Sequence, residues 1–237
     1  MIDFERAALN ALTQNFPTAV LQGCYFHFGQ AIWRQIQALG FQLRYQCDEE
    51  FAVVMKQFRA LAFVPEIDVI PCYGELTDSL SNDLVDDLSA FSHYFEKTLI
   101  GLEHHGQRLR PLFSIELRNV RDRMERVLPR TNDFVEGWHR AFDIRINTTH
   151  PTLSKLIRKI IMEQRDNEIT LEKDRCGHEL PKSKKKYVQL NRRLEKLVDE
   201  YIYIYIPHLE YLSGITHNLT YKYFIFILFS YFFNFLQ

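Results

Sequence analysis

The sequence predicts a mainly α-helical protein with a small α/β remnant at its N-terminal end. From residue 48 to residue 201, apolar residues recur at intervals of three and four, which is the period of a helix that packs on one face. Only one short apolar segment, residues 18–23, is typical of a buried strand. It lies between two predicted helices, and such alternation indicates an α/β arrangement.

Composition limits the classes of function. The chain has 237 residues, of which 46% are hydrophobic, enough for one or two ordinary cores. Its formal charge of −1 argues against a protein that coats nucleic acid by bulk attraction, so any basic surface must be local. The segments 106–130 and 182–193 are basic, and a solvated helix face is the alternative interpretation of each.

The four cysteines are widely and irregularly spaced, and no signal peptide precedes them. We therefore expect no disulfide framework and a reducing, intracellular compartment rather than secretion.

The first forty residues predict a helix, a strand and a second helix. Apolar residues between positions 4 and 12 form a helical stripe that Pro17 ends. Residues 18–23 follow as the short strand. The second helix runs from about His27 to Leu39, and Gly40 suits its C-terminal cap.

The next ninety residues predict several helices. Asp48 can cap the first, Pro71 interrupts the following stretch, and Asn82 opens another helix. Residues 104–111 predict a polar, basic loop, and residues 115–128 a further helix.

The C-terminal third predicts two long helices and an unusual tail. One helix starts after Pro151 and the other ends near Tyr201, with a break at residues 177–181. Tyr, Phe, Ile and Leu dominate residues 202–237, but the most apolar part, residues 223–236, is only 14 residues long. A bilayer-spanning helix needs about 20 apolar residues, so we expect the tail to lie outside the fold rather than in a membrane.

Two carboxylates are candidates for chemistry, each with an ordinary alternative. Asp3 precedes the first helix, where it can cap that helix or point from a strand end into a cleft. Glu136 can complete a capping box with Asp133, or pair with Arg140 four residues later.

Cys24 and His27 have a spacing that could serve half of a zinc site, and Cys176 with His178 could supply the other half. A buried cysteine and a hydrogen-bonded histidine at a strand end is the alternative that we favour.

Four separated segments give these residues a specific context. They run from Asp3 to Leu12, over Phe16-Pro17, from Gly23 to Arg34, and from Leu128 to Phe142. In this order they resemble the Mutator-like element (MULE) transposases, most closely the animal lineage that often follows a FLYWCH-type zinc finger. The resemblance covers about residues 1–201, and the tail has no counterpart in it.

The resemblance implies an RNase H-like catalytic domain with an Asp, Asp, Glu trio that holds Mg²⁺ for DNA cleavage and strand transfer. Asp3 matches the second Asp and Glu136 the Glu, which makes both the catalytic and Mg²⁺-binding candidates. Cys24 and His27 match the family's Cys-x-x-His signature, with zinc as their candidate metal.

This sequence departs from the family at several points. It starts at the position of the second Asp, so we expect a truncated core that lacks the first Asp and is catalytically inactive. Arg118 and Asp133 stand where the family pattern predicts Trp and Asn.

The resemblance also divides the chain. The expected segments are a remnant of the RNase H-like domain (residues 1–40), a helical insertion (41–130), the helix with the catalytic-type Glu (131–150), C-terminal helices (151–201) and the aromatic and aliphatic tail (202–237).

DNA is the partner that the resemblance implies, with the nucleus as the location. The basic side chains that we expect at DNA are Arg140, Lys182, Lys184, Lys185, Lys186, Arg192 and Arg193. Unpaired strand edges near residues 18–23 also predict self-association. The alternative function is a helical DNA-binding or interaction module derived from a transposase, and a membrane-anchored protein ranks third.

Overall fold

The computed structural model describes residues 1–126, 128–131, 133–148, 150–178, 185–203 and 206–219. The described chain separates into two compact units, one formed by residues 1–131 with those from 190 onward, the other by residues 132–189. Regular structure is almost entirely helical, so the prediction of a mainly α protein is confirmed.

The described α-helices are α1 (Arg6–Asn15), α2 (Tyr25–Ala38), α3 (Gln42–Cys47), α4 (Glu49–Ala60), α5 (Val69–Asp78), α6 (Asn82–Phe95), α7 (Ile115–Arg118), α8 (Arg121–Glu125), α9 (Asp133–Ile146), α10 (Leu153–Arg175), α11 (Lys185–Tyr203) and α12 (His208–Asn218). Short 3₁₀ turns cover Leu61–Phe63 and Glu66–Asp68, and one π-helical turn covers Glu96–Ile100. None of the described helices is long and apolar enough to cross a membrane.

The strand predicted at residues 18–23 is wrong except at its last residue. Gly23 forms a parallel β-bridge with Ile2, in which the Ile2 amide donates to the Gln22 carbonyl and the Cys24 amide donates to the Ile2 carbonyl, both at 2.8 Å. Val20 is exposed. One bridging residue cannot sustain a ladder, so the α/β remnant is a single parallel contact and no RNase H-like sheet is formed by the described residues.

Local signals placed α2 and α4 correctly. Gly40 adopts φ +77°, the left-handed conformation that suits glycine just after the end of α2. The Asp48 carboxylate accepts a hydrogen bond of 3.1 Å from the Phe51 amide and thereby caps α4.

Two predictions about chain breaks need correction. Pro71 does not interrupt a helix, because it lies in the first turn of α5, where its missing N–H would have no intrahelical partner. The loop predicted over residues 104–111 contains a hairpin of β1 (Glu103–His104) and β2 (Gln107–Arg108). His105 and Gly106 both have positive φ, as a tight hairpin turn with the twist of its strands requires.

The helix predicted over residues 115–128 is divided into α7 and α8 by Asn119. The Asn119 side chain donates to the Val64 carbonyl at 2.7 Å and accepts from the Arg121 amide at 2.8 Å. These bonds hold the backbone in an extended conformation between the two short helices.

The tail prediction needs correction. The segment His208–Asn218 is helix α12, which packs on α4 and α5 in the first unit. Leu212 and Ile215 are fully buried, and the Tyr211 hydroxyl donates to the Phe63 carbonyl at 2.8 Å. The boundary placed at residue 202 is therefore too early, because α12 belongs to the fold, whereas residues 220–237 lie outside the described part.

An aromatic cluster dominates the core of the first unit. The Phe58 ring is fully buried, and its centroid lies 5.1 Å from those of Phe91 and Phe95 in edge-to-face contacts. The same unit also buries the arginines Arg59, Arg118, Arg121 and Arg123.

The second unit is built on α9 and α10, and polar contacts near its surface join these two helices. The Glu163 carboxylate on α10 accepts a hydrogen bond of 2.8 Å from the Trp138 indole and forms an ion pair with Arg145. No residue of α10 is buried, and Leu153 and Ile157 are exposed.

Candidate functional site

Asp3 lies where the chain leaves the parallel bridge. Its neighbour Ile2 makes the bridge, and Glu5, not Asp3, occupies the cap position of α1. The Asp3 carboxylate instead lies 2.9 Å from Nδ1 of His27. The helix-cap interpretation of Asp3 is therefore wrong, and a carboxylate at the end of an extended segment is what remains.

His27 reaches Asp3 because α2 starts directly after the bridge. Cys24 occupies the cap position of α2 and is fully buried, and its carbonyl accepts a hydrogen bond from the Phe28 amide. His27 is one turn further along, with a side chain that is 19% exposed beside a half-exposed Asp3. The Cys-x-x-His spacing thus places the cysteine in the core and the histidine against the carboxylate.

An Asp–His pair can do limited chemistry by itself. A carboxylate on one ring nitrogen orients the imidazole and favours one tautomer, which leaves the other nitrogen as a base or ligand. Structural zinc requires four ligands, and a magnesium centre for phosphoryl transfer draws on carboxylates from several elements. Among the described residues no group of three or more His, Cys, Asp or Glu side chains could hold a metal ion.

Glu136 lies on helix α9, but its side chain is outside the described part of the chain, as is that of Asp133. The catalytic role of Glu136 therefore stays a prediction. Arg140, one turn along the same helix, is exposed.

The predicted DNA-contacting residues are exposed wherever their side chains are described. Arg192 and Arg193 lie on α11, as does Lys185, and all three are open to solvent. Lys182 and Lys184 fall outside the described residues, and so does the side chain of Lys186. Exposure is what a phosphate contact needs, and it is equally what a solvated helix face shows.

The basic segment 106–130 contributes arginines to the core of the first unit. Three of its seven arginines are buried. Arg123 donates to the Gly23, Asn119 and Arg130 carbonyls at 2.9, 3.1 and 3.2 Å. Three of the seven arginines of this segment therefore lie in the interior and not on a solvated face.

Sequence reasoning missed a narrow cleft in the first unit, between α2 and α4. Arg59 lies in it, against the backbone of Gly29. Gly29 was the available signal, because a glycine inside a helix costs about 1 kcal/mol relative to alanine and usually has a packing reason.

No protein-family model matches this chain, and neither the curated proteins nor the solved structures contain a match to it.

Proposed function

We propose that this chain derives from a MULE-type DNA transposase and that the 237-residue polypeptide by itself does not cleave or join DNA. The supporting observation is the Asp3–His27 contact of 2.9 Å. It joins two separated segments that carry the resemblance, the one that starts at Asp3 and the Cys-x-x-His segment. DNA is the proposed partner and the nucleus the proposed location.

The proposed inactivity follows from the carboxylate count. Cleavage and joining of DNA by two divalent cations needs ligands that bridge and hold both ions. By resemblance, Asp3 and Glu136 are two of the three carboxylates that such a site uses, and Asp3 contacts His27. Loss of one bridging ligand costs several kcal/mol of transition-state stabilisation, and each ~1.4 kcal/mol is a factor of about ten in rate.

A nuclease and strand-transfer assay tests the inactivity. The purified chain is incubated with supercoiled plasmid and labelled oligonucleotides in Mg²⁺ or Mn²⁺, beside an Asp3→Ala variant. We expect no nicking or joining above background from either protein. Metal-dependent nicking by the native chain that disappears in Asp3→Ala would show that an active centre exists.

The genomic DNA on both sides of the gene tests the ancestry. We expect the gene to lie within an element bounded by inverted repeats. Unrelated sequence on both sides of the gene would remove the support for a transposase origin.

The alternative is a helical DNA-binding module that has kept its basic surface. The exposed pair Arg192 and Arg193 on α11 favours it. Two phosphate contacts would add about −1.8 to the slope of log affinity against log salt. The double variant Arg192→Gln/Arg193→Gln should lose that part of the slope, as measured by fluorescence anisotropy with duplex DNA.

The matched control removes two exposed cations outside the predicted set, Arg6→Gln/Lys97→Gln. It should leave the slope unchanged. Equal effects of both double variants would indicate bulk attraction only, and absence of binding at low salt would exclude the module.

A further inference from the structure

A cleft in the first unit combines apolar walls with a buried cation. Side chains of α2 and α4 form most of its lining, including Ile32 and Met55. The cleft encloses about 740 Å³ when the open solvent at its mouth is counted. It is narrow and lined mainly by apolar side chains, which suits a small flat or extended ligand.

Arg59 is the buried cation in this cleft. It is only 8% exposed, its guanidinium carbon lies 4.5 Å from the centroid of the Tyr25 ring, and its Nε has no hydrogen-bond partner. Within the described parts of the chain no carboxylate forms an ion pair with Arg59. Its terminal nitrogens are not among the buried unpaired atoms, and the two terminal nitrogens of a guanidinium can meet a carboxylate in two parallel hydrogen bonds.

Gly29 makes room for the Arg59 guanidinium. A Cβ at position 29 would lie 2.5 Å from the Arg59 guanidinium carbon, closer than any real Cβ contact. Gly29 is in the interior of α2, where alanine would favour the helix. Glycine, a less favourable helix residue, therefore stands at the position of α2 that the Arg59 guanidinium contacts.

The charges around the cleft also favour an anion. Lys56, on α4 one turn before Arg59, lines the same cleft, and burial lowers its pKa although Glu49 opposes this shift. Arg130 lines it as well. A buried cation without a counter-ion is costly, so an entering anion gains more here than at the surface.

Arg118 shows that burial alone does not make such a site. It is 1% exposed and both of its terminal nitrogens lack partners, but it lies between the Phe28 and Phe95 rings and lines no part of the cleft. Arg59 differs from Arg118 because it lines the open cleft.

We propose that this cleft binds a small organic carboxylate, a slim aromatic or aliphatic acid whose head pairs with Arg59 and whose apolar body lies along α2 and α4. The carboxylate is favoured over a phosphate because it is planar and the walls around it are apolar. This site is independent of the proposed transposase ancestry, and its test contains no DNA.

Calorimetric titration of the full chain tests the proposal with benzoate, its neutral analogue benzamide and inorganic phosphate. We expect benzoate to bind at least tenfold more tightly than either of the other two. Arg59→Met should weaken benzoate at least tenfold, because a hydrogen bond to a charged group contributes about 1.5–3 kcal/mol and ~1.4 kcal/mol is tenfold. Arg118→Met, which removes an equally buried cation away from the cleft, should bind benzoate as the native chain does.

Several outcomes would overturn the proposal. These are absence of benzoate binding, equal binding by Arg59→Met, or equal loss in Arg59→Met and Arg118→Met. Inorganic phosphate that binds as tightly as benzoate would show that the site recognises charge without the apolar body. If Arg59→Met does not fold, a structure of the native chain with benzoate decides: a carboxylate within hydrogen-bond distance of Arg59 supports the site, and any other location refutes it.

Discussion

The two units use the same kinds of residues in opposite ways. The first surrounds Phe58 with other aromatic rings and seals them from solvent. The second leaves Leu153 and Ile157 exposed on α10 and joins its helices through Glu163. Both segments show helical apolar periodicity. Periodicity therefore identifies the face that a helix would bury, but another element must be available to cover that face.

Charge differs between the units as well. In the first, buried arginines donate mainly to backbone carbonyls, as Arg123 does to the Gly23 carbonyl at 2.9 Å. In the second, ion pairs such as that of Arg145 with Asp166 lie at the surface. Surface pairs contribute little to stability, whereas the loss of a buried donor leaves polar atoms unsatisfied. Substitutions should therefore have larger effects in the first unit.

The largest contrast is expected between two apolar truncations. Phe58→Ala should lower the free energy of unfolding of the first unit by about 3–5 kcal/mol, because it leaves a cavity in the aromatic cluster. Ile157→Ala, at an exposed position of α10, should change the free energy of unfolding of the second unit by about 0.5 kcal/mol or less. Urea unfolding followed by Trp33 fluorescence, in a Trp138→Phe background, measures the stability of the first unit. Hydrogen exchange of the α10 amides measures the stability of the second. Equal losses would mean that Ile157 is as well covered as Phe58.

Arg123→Met should be the most costly change among the buried arginines. It removes a donor from three carbonyls, including that of Gly23 in the parallel bridge, although the Arg130 carbonyl also accepts from the Tyr25 amide. We expect a loss of about 2–4 kcal/mol, since each buried unsatisfied group costs about 1–3 kcal/mol. Denaturant unfolding measures it, and a neutral result would show that water replaces the guanidinium.

Arg118→Met should act in the opposite direction. Burial lowers the pKa of the Arg118 guanidinium to about 9, well below its ordinary range, and the single bond to the Leu99 carbonyl is long at 3.4 Å. Apolar replacement of such a charge should stabilise the fold by about 1–3 kcal/mol.

The pH dependence of the Arg118→Met effect has a definite sign. The folded state holds this proton less tightly than the unfolded chain, so the native protein bears the full penalty below pH 9 and gains stability as the pH rises above 9. The advantage of the variant should therefore shrink from pH 8 to pH 10.5. An advantage that is constant over this range would show that Arg118 keeps its ordinary pKa.

In the second unit, Glu163→Gln should lower the free energy of unfolding by about 1 kcal/mol. It weakens the contacts of α10 with Trp138 and Arg145, which are only partly shielded from solvent. Faster hydrogen exchange in α9 measures it, with no change in the first unit. Glu172→Gln, which breaks the exposed pair with Arg175, is the control and should leave exchange in α9 unchanged.

The smallest effect concerns reactivity and not stability. Burial raises the pKa of the Cys72 thiol to about 12, so almost no thiolate is present at neutral pH. Cys47 and Cys176 are exposed. Iodoacetamide should label these two in minutes and leave Cys72 unmodified until urea is added, as peptide mass spectrometry can measure. Rapid native labelling of Cys72 would show that α5 opens locally.

The elements that were predicted well are those whose signals are local. Asp48 caps α4 by a bond to a residue three positions away, and Gly40 ends α2 by its own backbone conformation. The elements that were missed depend on distant residues. The strand at 18–23 needed partner strands, and α12 is recognisable only by its burial against α4 and α5.

The candidate site divides in the same way. The sequence singled out Asp3, Cys24 and His27 by their order and spacing, and the structure brings Asp3 to His27 while it buries Cys24. Arg59 was overlooked because a lone arginine on an amphipathic helix resembles any solvated cation. Only its position against Gly29 reveals that it lies in a cleft.

By itself, the sequence determined most of the segments that become helices and the ends of those with clear caps, such as α2 and α4, because caps, breakers and apolar periodicity act over a few residues. The tertiary structure alone decided which charges are buried, which apolar faces are covered, and which carboxylate meets which histidine. Burial, desolvation and ion pairing depend on the neighbours that a residue acquires in space, and those neighbours lie far away along the chain.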